Sequence, residues 1–328
     1  MFGRFLYSIF IILFGLSILV AAHTQAYGGQ ADTRLVLTLP DISWSLEIAM
    51  SGFTIKEKKI NDRADGAMLM AENAQTRVSL SAFIEKAAKP GDSKACREHY
   101  WKLTKRSPLK MKEVRMYESG PMAIVEYLIP EVGTVKVNQK HINAYLAVGD
   151  YWIDVHLSQI FHKPGPEDPL TSILETIGIN DSYVPTVKEH FAYASYYYLK
   201  EDYLRAARHY EQVLGRNEPQ PTLDRKSWRI VVDQLGMSYG LSDESAKAKD
   251  LFEWAIKIDP EYPMFYYCLA CASAEMDNPE EALRNLRLAY QYKANMLPGE
   301  PFPNPKTDPS FKKYLKDKRF RAELEKMK

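Results

Sequence analysis

The sequence predicts two folded parts of different class: an α+β part built on an antiparallel sheet, and an all-α part built from repeated helix pairs. Two observations carry this prediction. Residues 141–158 alternate apolar and polar side chains around Gly149-Asp150, which is the pattern of a β-hairpin. Residues 187–296 repeat small and aromatic residues with a period near 34, which is the pattern of a helical solenoid. The length of 328 residues suits about two domains.

The composition excludes several classes of protein. Hydrophobic residues make up 46% of the chain, which excludes wholesale disorder. Lys and Arg total 43 and Asp and Glu total 42, so the near-neutral chain has no general attraction for nucleic acid or anionic lipid. Three cysteines are too few for a disulfide scaffold.

Residues 1–26 have the pattern of a secretory signal peptide. Arg4 is followed by an almost continuous apolar run, Phe5–Val20, and then by small residues. Cleavage after Ala22 or after Ala26 fits this pattern. The alternative is an uncleaved membrane anchor, because the apolar stretch from Phe5 to Ala22, 18 residues, is just long enough to span a bilayer. In either case we expect the rest of the chain to be exported, to the periplasm if the cell is a Gram-negative bacterium.

The hairpin at 141–158 has a predicted register. Gly at the first central position suits a type II′ turn, and a two-residue turn then pairs Val148 with Tyr151 and continues outward. The predicted pairs on one apolar face are Val148 with Tyr151, Leu146 with Ile153, Ala144 with Val155 and Ile142 with Leu157. The opposite face is polar and aromatic. The turn type and the alternation of side chains therefore predict the same register independently.

Further strands and two helices complete an α+β domain over 27–182, with an antiparallel sheet covered by helices. Predicted strands lie at 35–39, 44–49, 67–71, 77–83, 114–117 and 122–129. Helices are predicted at 93–105, capped by Asp92 or Ser93, and at 167–177, where Asp168-Pro169 gives a cap followed by proline. This order of elements resembles the PsbP-like α+β sandwich. The resemblance implies a fold and no activity.

The second half, 183–298, repeats a set of helix-packing residues. A trio occurs three times, at offsets of 42 and 34 residues: Ala206, Tyr210 and Val213; Ala248, Phe252 and Ala255; Ala282, Leu286 and Ala289. Each trio is preceded by a pair that ends in a small residue: Tyr193-Ala194, Leu235-Gly236 and Leu269-Ala270. Small residues at Ala194, Gly236 and Ala270 allow the first helix of each pair to approach the second.

These residues resemble the tetratricopeptide repeat (TPR). The resemblance covers three units, at about 187–220, 229–262 and 263–296. A proline-rich connector and a capping helix are expected over 299–328, where Asp308-Pro309 starts one helix and Asp317 caps a second. A solenoid needs such a cap with one polar face.

The resemblance implies a concave groove lined by the first helix of each unit. The implied groove residues are Lys188, Phe191, Ser195, Tyr198, Ile230, Asp233, Met237, Met264, Tyr267 and Cys271. Some family members clamp a carboxyl-terminal tail with Lys, Asn and Arg at set positions. Those positions hold other residues here: Phe191, Ser195, Gln234, Met264 and Cys268. The clamp is therefore absent, and a largely apolar groove suits an extended or helical protein segment. Internal packing of these side chains is the alternative.

The cysteine and histidine patterns of the sequence do not support a catalytic or metal site. Cys268 and Cys271 form a CxxC, but within a repeat helix rather than at a strand-to-helix junction, so we expect buried small residues there. A redox-active or bridged pair is the alternative. His141 and His156 share the polar face of the hairpin with Asp154, without a third convergent ligand. We expect no cofactor and no metal.

Two functions follow from the sequence. The first is a non-enzymatic exported adaptor that binds a protein segment in its repeat groove. The second places a small-molecule or catalytic site near His156 and Asp154 in the N-terminal domain, with the repeats serving recruitment or self-assembly. Self-association through the repeats stays open, and the sequence gives no nucleic-acid partner and no membrane contact beyond the N-terminal segment.

Overall fold

The computed structural model describes residues 34–327, apart from 50, 62, 88, 166–167 and 216–222. The chain divides into two compact units, Met1–Val184 and Pro185–Lys328. The predicted signal segment lies outside the described residues. Within the described ranges, no helix is both long and apolar enough to cross a membrane.

The N-terminal unit is built on β-strands. Its described strands are β1 (Arg34–Leu37), β2 (Ser45–Ala49), β3 (Thr54–Ile60), β4 (Gly66–Asn73), β5 (Val78–Lys86), β6 (Lys112–Ser119), β7 (Met122–Val132), β8 (Val135–Val148), β9 (Tyr151–Gln159) and β10 (Gly178–Asn180). Seven strands form an antiparallel sheet in the order β3-β4-β5-β9-β8-β7-β6, and β1-β2-β10 form a smaller one. The predicted α+β class with an antiparallel sheet is confirmed.

The β8–β9 hairpin has the predicted register. Val148 pairs with Tyr151, and the pairing continues through Ile142 opposite Leu157. Gly149 has a φ of 55°, in the left-handed region that a type II′ turn requires at its first central residue. The apolar face of this hairpin is the centre of the larger core.

Each face of the large sheet is covered by different elements. The small sheet and helix α2 (Pro169–Leu174) pack on one face, where Leu146, Ile153 and Leu170 are fully buried. Helix α1 (Ser93–Thr104) packs on the other face, against Tyr145 and Trp152. Both helices begin at predicted caps: the Asp92 side chain accepts from the Ala95 amide at 2.9 Å, and the Asp168 side chain from the Leu170 amide at 3.1 Å.

Strands β3 and β10 were not predicted. In β3, Thr54–Ile60, four consecutive charged residues lie between Ile55 and Ile60 and no residue is fully buried, so the alternating pattern of a half-buried strand is missing. The strand forms because β4 offers it a hydrogen-bonding edge. Its lysines and glutamate are typical of an edge strand that avoids further pairing.

The C-terminal unit is a series of helix pairs. Its described helices are α3 (Val187–Leu199), α4 (Tyr203–Leu214), α5 (Arg225–Leu241), α6 (Ser245–Ile258), α7 (Pro263–Glu275), α8 (Pro279–Gln291) and α9 (Lys318–Glu325). Each helix from α3 to α8 packs on the next one in the chain. The helices form the pairs α3–α4, α5–α6 and α7–α8, and α5 begins four residues before the predicted start of the second unit at 229.

Small residues let the helices of each pair approach closely. Ala194, Ala206, Ala270 and Ala282 are completely buried. At Gly236, an added Cβ would lie 2.0 Å from the Phe252 ring, so the α5–α6 contact requires glycine. The residues that define the repeat in the sequence are therefore the residues that set the interhelical distance.

The C-terminal cap differs from the sequence prediction in one element. Asp308-Pro309 starts a 3-10 turn, Pro309–Phe311, followed by a second at Tyr314–Lys316, instead of an α-helix. Asp317 adopts an extended backbone conformation to cap α9, and this interrupts helical continuation. The predicted capping helix is present as α9, whose Phe320 and Leu324 pack with Phe311 on the last helix pair.

Candidate protein-binding groove

The groove residues implied by the repeat pattern lie on α3, α5 and α7. Lys188, Phe191, Ser195 and Tyr198 are on α3, Ile230, Asp233 and Met237 are on α5, and Met264, Tyr267 and Cys271 are on α7. The residues of α3 and α5 are partly or fully exposed, with Met237 40% exposed. In contrast, Met264 is 8% exposed and Tyr267 is 2% exposed. The groove positions are therefore accessible on α3 and α5, whereas Met264 and Tyr267 of α7 are buried.

Aromatic rings form the floor between the first and second helix pairs. Tyr210 of α4 lies edge-on to Phe191 and to Tyr198, with ring centroids 6.3 and 6.5 Å apart. Its hydroxyl donates to the Gln234 side chain on α5 and lies 3.5 Å from the Ser195 hydroxyl. This network fixes the side chains of α3 and α5 relative to each other, which is how a binding surface is preorganised.

A carboxylate lies at the centre of this face. The Asp233 carboxylate accepts a hydrogen bond from the Cys268 thiol of α7, with the two atoms 3.2 Å apart. Burial raises the pKa of Asp233 to about 6; the Cys268 hydrogen bond opposes this shift, and the charge of Glu300 adds to it. Burial, and then the charge of Asp233, raise the pKa of Tyr198 to about 12.

The connector between the last helix pair and the cap covers the face of α7. The Tyr267 hydroxyl donates to Asp308 at 2.9 Å, and its ring lies edge-on to Phe302 and Phe311, with centroids 5.8 and 6.0 Å away. These contacts explain why Tyr267 is buried. The surface that the sequence assigns to a partner is here occupied by the chain itself.

Other connector residues extend this cover along the same helix. The Glu300 carboxylate accepts from the Tyr262 hydroxyl at 2.8 Å, at the N-terminus of α7. The Phe302 ring lies 4.9 Å from that of Tyr290 on α8. The connector therefore brings two further carboxylates, those of Glu300 and Asp308, to the groove. The repeat spacing does not predict these contacts, because the two tyrosine–carboxylate pairs join residues 38 and 41 positions apart that belong to no periodic pattern.

The two groove cysteines are structural thiols. All three cysteines of the chain lie among the described residues, and none forms a disulfide. Burial raises the pKa of Cys268 and of Cys271 well above the usual value, and the neighbouring carboxylates Asp233 and Asp308 act in the same direction. Because the thiolate is the reactive form, both residues are poor nucleophiles.

We therefore expect native Cys268 and Cys271 to resist alkylation by iodoacetamide at pH 8. Unfolding in urea should make both react at the rate of an ordinary thiol, because the burial that disfavours the thiolate is then lost. Peptide mass mapping of labelled protein measures each site separately. Fast labelling of either cysteine in the native protein would show a reactive thiol and would favour the redox interpretation.

The N-terminal unit contains a buried pair of histidines. His141 Nδ1 lies 2.9 Å from His156 Nε2, and the two rings are stacked with centroids 5.2 Å apart. Tyr127 stacks on the other side of His141, which is 1% exposed. Burial lowers the pKa of His141 well below its usual value and that of His156 to about 4, so the pair is neutral at physiological pH.

A carboxylate and an amide share the polar face of the hairpin with this pair. The carboxylate of Asp154, which shares the face, accepts a hydrogen bond from Asn143 at 3.4 Å. Across the described ranges, no three His, Cys, Asp or Glu side chains are placed to hold a metal ion.

Comparisons with known proteins give low similarities. No family model matches this chain, and no curated protein matches it. Among solved structures, the Sgt2 TPR domain of Aspergillus fumigatus is 18% identical, with a TM-score of 0.31, over 43% of this chain and 81% of that chain. The C-terminal TPR-containing domain of a Plasmodium falciparum FK506-binding protein is 20% identical, with a TM-score of 0.27, over 34% and 85%.

A Bacteroides thetaiotaomicron protein covers a larger share of the chain. It is 10% identical, with a TM-score of 0.33, over 66% of this chain and 80% of that chain. Because these TM-scores are low, the description of the helical unit depends on its own helix pairs and their contacts. The resemblance of the N-terminal unit to the PsbP-like sandwich stays a prediction.

Proposed function

We propose that this protein is an exported, non-enzymatic adaptor that binds an extended protein segment along α3 and α5. The observation that carries the proposal is that the connector packs against α7. Residues of the connector occupy the third unit at Tyr267, the position that corresponds to Phe191 and Asp233 in the first two units. The equivalent surface on α3 and α5 keeps exposed apolar side chains, among them Met237.

The connector also indicates the kind of segment that this surface accepts. It contains four prolines between Pro298 and Pro305, and its described backbone from 301 to 304 has no helix or strand. Phe302 supplies an apolar anchor and Asp308 a side chain that accepts from a groove tyrosine. An extended segment with side-chain anchors is a recurrent mode of peptide recognition, in which its low conformational entropy favours binding.

Export is proposed from the pattern of residues 1–26. Intact-mass measurement of the protein recovered from the cell envelope tests it. A mass that corresponds to cleavage after Ala22 or Ala26 would support a signal peptide, and a full-length mass in the membrane fraction would support the anchor. Recovery of full-length protein from the cytoplasm would contradict export.

A groove variant tests the binding proposal. We expect Phe191→Ala/Met237→Ala to weaken binding of peptides selected on the intact protein by tenfold or more, which is about 1.4 kcal/mol or more. The probe is a displayed library of random peptides panned against the chain from residue 27 to 328, with affinities then measured on synthetic peptides by fluorescence polarisation. Both side chains are at the surface of their helices, so far-UV circular dichroism should be unchanged.

Leu204→Ala is the matched control. Leu204 is 58% exposed on α4, the second helix of its pair, and should leave the affinity of the same peptides unchanged. Peptides that bind the double variant as tightly as the native protein would place recognition outside the groove and would contradict the proposal. Failure of the panning to select any peptide over a protein-free surface would contradict it as well.

A further inference from the structure

The N-terminal unit contains a segment whose basic residues have no acidic counterpart. Between Glu98 and Glu113 the chain has no acidic residue and five basic ones: Lys102, Lys105, Arg106, Lys110 and Lys112. We call these five residues the basic patch. All five are exposed, and none of them forms an ion pair within the described ranges. The near-neutral total charge of the chain therefore conceals a local excess of positive charge.

Near the start of the same helix, carboxylates do neutralise the basic side chains. Lys94 and Arg97 of α1 both lie beside Glu118 of β6, at 3.3 and 3.4 Å. Glu98, the last acid before the basic patch, lies 3.8 Å from Arg97. The basic patch begins after these pairs, at the C-terminal end of α1 and in the loop that follows. Its positive charge is therefore not offset by the carboxylates of this helix.

Apolar side chains hold the basic patch against one face of the large sheet. Leu103, Leu109 and Met111 alternate in sequence with its cations and pack, partly buried, on the core beneath α1. Met116 of β6 pairs with Val125 of that core, so it lies on the same face, and it is 43% exposed. Exposed positive charge and partly exposed apolar surface therefore occur together at this edge of the sheet.

These features favour a lipid surface over a protein segment or a single-stranded nucleic acid. Strand β6 is at the edge of its sheet, but its pairing shifts between Lys112 and Arg115 and Glu113 has a φ of 53°, so it offers no regular edge to an added peptide. The neighbouring rings of Tyr100 and Trp101 are buried and cannot stack on a base. Clusters of about four to eight basic residues attract anionic lipid headgroups, and apolar side chains add to that affinity.

We propose that the basic patch binds the surface of a membrane that contains anionic phospholipid. The argument is charge complementarity, because exposed cations without an internal partner are attracted to a negatively charged surface and lose that attraction as salt screens it. The contact is peripheral and reversible. This inference is independent of the proposed peptide groove, because it concerns the other compact unit of the chain.

Sedimentation with lipid vesicles tests the proposal on the chain from residue 27 to 328, which lacks the apolar N-terminal segment. We expect binding to vesicles of equal parts phosphatidylcholine and phosphatidylglycerol, and none to phosphatidylcholine alone. Binding should be lost at about 1 M salt, where the screening length is about 3 Å. Lys105→Gln/Arg106→Gln/Lys110→Gln should weaken it about hundredfold, because each basic residue near an anionic surface contributes about a factor of five. These side chains are exposed, so far-UV circular dichroism should be unchanged.

Lys86→Gln/Lys89→Gln/Lys163→Gln is the matched control. These three lysines are exposed in the same unit, and their replacement changes the net charge by the same amount. We expect it to weaken vesicle binding about threefold or less, because they lie outside the basic patch. Equal weakening by the two triple variants, or no binding to the anionic vesicles, would overturn the inference. Binding of a polyglutamate peptide through the same three patch residues, without vesicle binding, would also overturn it and would assign the patch to an acidic protein segment.

Discussion

Replacing Gly236 by alanine should destabilise the helical unit by about 2 kcal/mol, because overpacking in a close-packed core typically costs about 1–3 kcal/mol and occasionally more. A Cβ at this position would lie 2.0 Å from Cζ of Phe252 and 2.4 Å from Cε2. Phe252 is almost completely buried, so its ring cannot move aside into solvent. We expect an overpacking cost of about 3 kcal/mol, at the upper end of that range. The higher helix propensity of alanine stabilises the helix by about 1 kcal/mol, which leaves a net destabilisation of about 2 kcal/mol.

Gly240→Ala provides a control within the same helix. No atom lies within 4 Å of a Cβ built at Gly240, which is exposed near the end of α5. This change should therefore stabilise the unit by up to about 1 kcal/mol through helix propensity alone. Urea unfolding followed by far-UV circular dichroism compares the two variants with the native protein. Equal stabilisation by both alanines would contradict the close α5–α6 contact.

Acidification from pH 7 to pH 5 should destabilise the N-terminal unit through the pair His141 and His156. A histidine has a pKa of about 6.5 in the unfolded chain, whereas burial lowers the folded pKa of His156 to about 4. The unfolded chain then binds more protons than the folded one, so stability is highest above pH 6.5 and falls as the pH is lowered through that value. His156 alone should account for about 2 kcal/mol over this interval.

His141 acts in the same direction, because burial and the neighbouring imidazole of His156 both lower its pKa. Tyr127 is stacked on His141, and Tyr145, Asp154 and Glu85 are further titratable groups on this face of the sheet. Tyr127 stays neutral over the whole interval, since burial raises its pKa far above the usual value. The imidazoles are therefore the groups that take up protons on unfolding.

The double variant His141→Gln/His156→Gln isolates this effect. Glutamine side chains can hydrogen-bond to each other but do not titrate between pH 5 and pH 7. The difference in unfolding free energy between native protein and variant, measured by urea titration at several pH values, should therefore shrink or reverse as the pH falls. A difference that is independent of pH would show that the pair titrates normally, and NMR titration of the two imidazoles would then give pKa values near 6.5.

The candidate groove was only partly predictable. Its positions on α3, α5 and α7 are those that the resemblance to the tetratricopeptide repeat implies. The cover over Tyr267 could not be predicted in this way. Connector residues such as Phe302 and Asp308 contact α7 only because the chain turns back after α8, and that path has no periodic signature.

The arrangement of carboxylates along α7 likewise has no periodic signature in the sequence. From the sequence, Asp233 is one acid among apolar neighbours, and Glu300 and Asp308 belong to a proline-containing connector. In the structure these carboxylates lie along one helix, each with a neutral donor. These contacts thus depend on residues that the repeat pattern does not include.

The sequence by itself determined the local structure of this protein. The β8–β9 register follows from the turn at Gly149 and strict alternation, and the helix pairs follow from small residues such as Gly236 at a fixed period. Only the tertiary structure decided which surfaces stay open and which titratable groups become neighbours. The physical reason is that alternation and helical period are set by short-range backbone geometry, whereas burial of His141 or Tyr267 depends on contacts between distant segments.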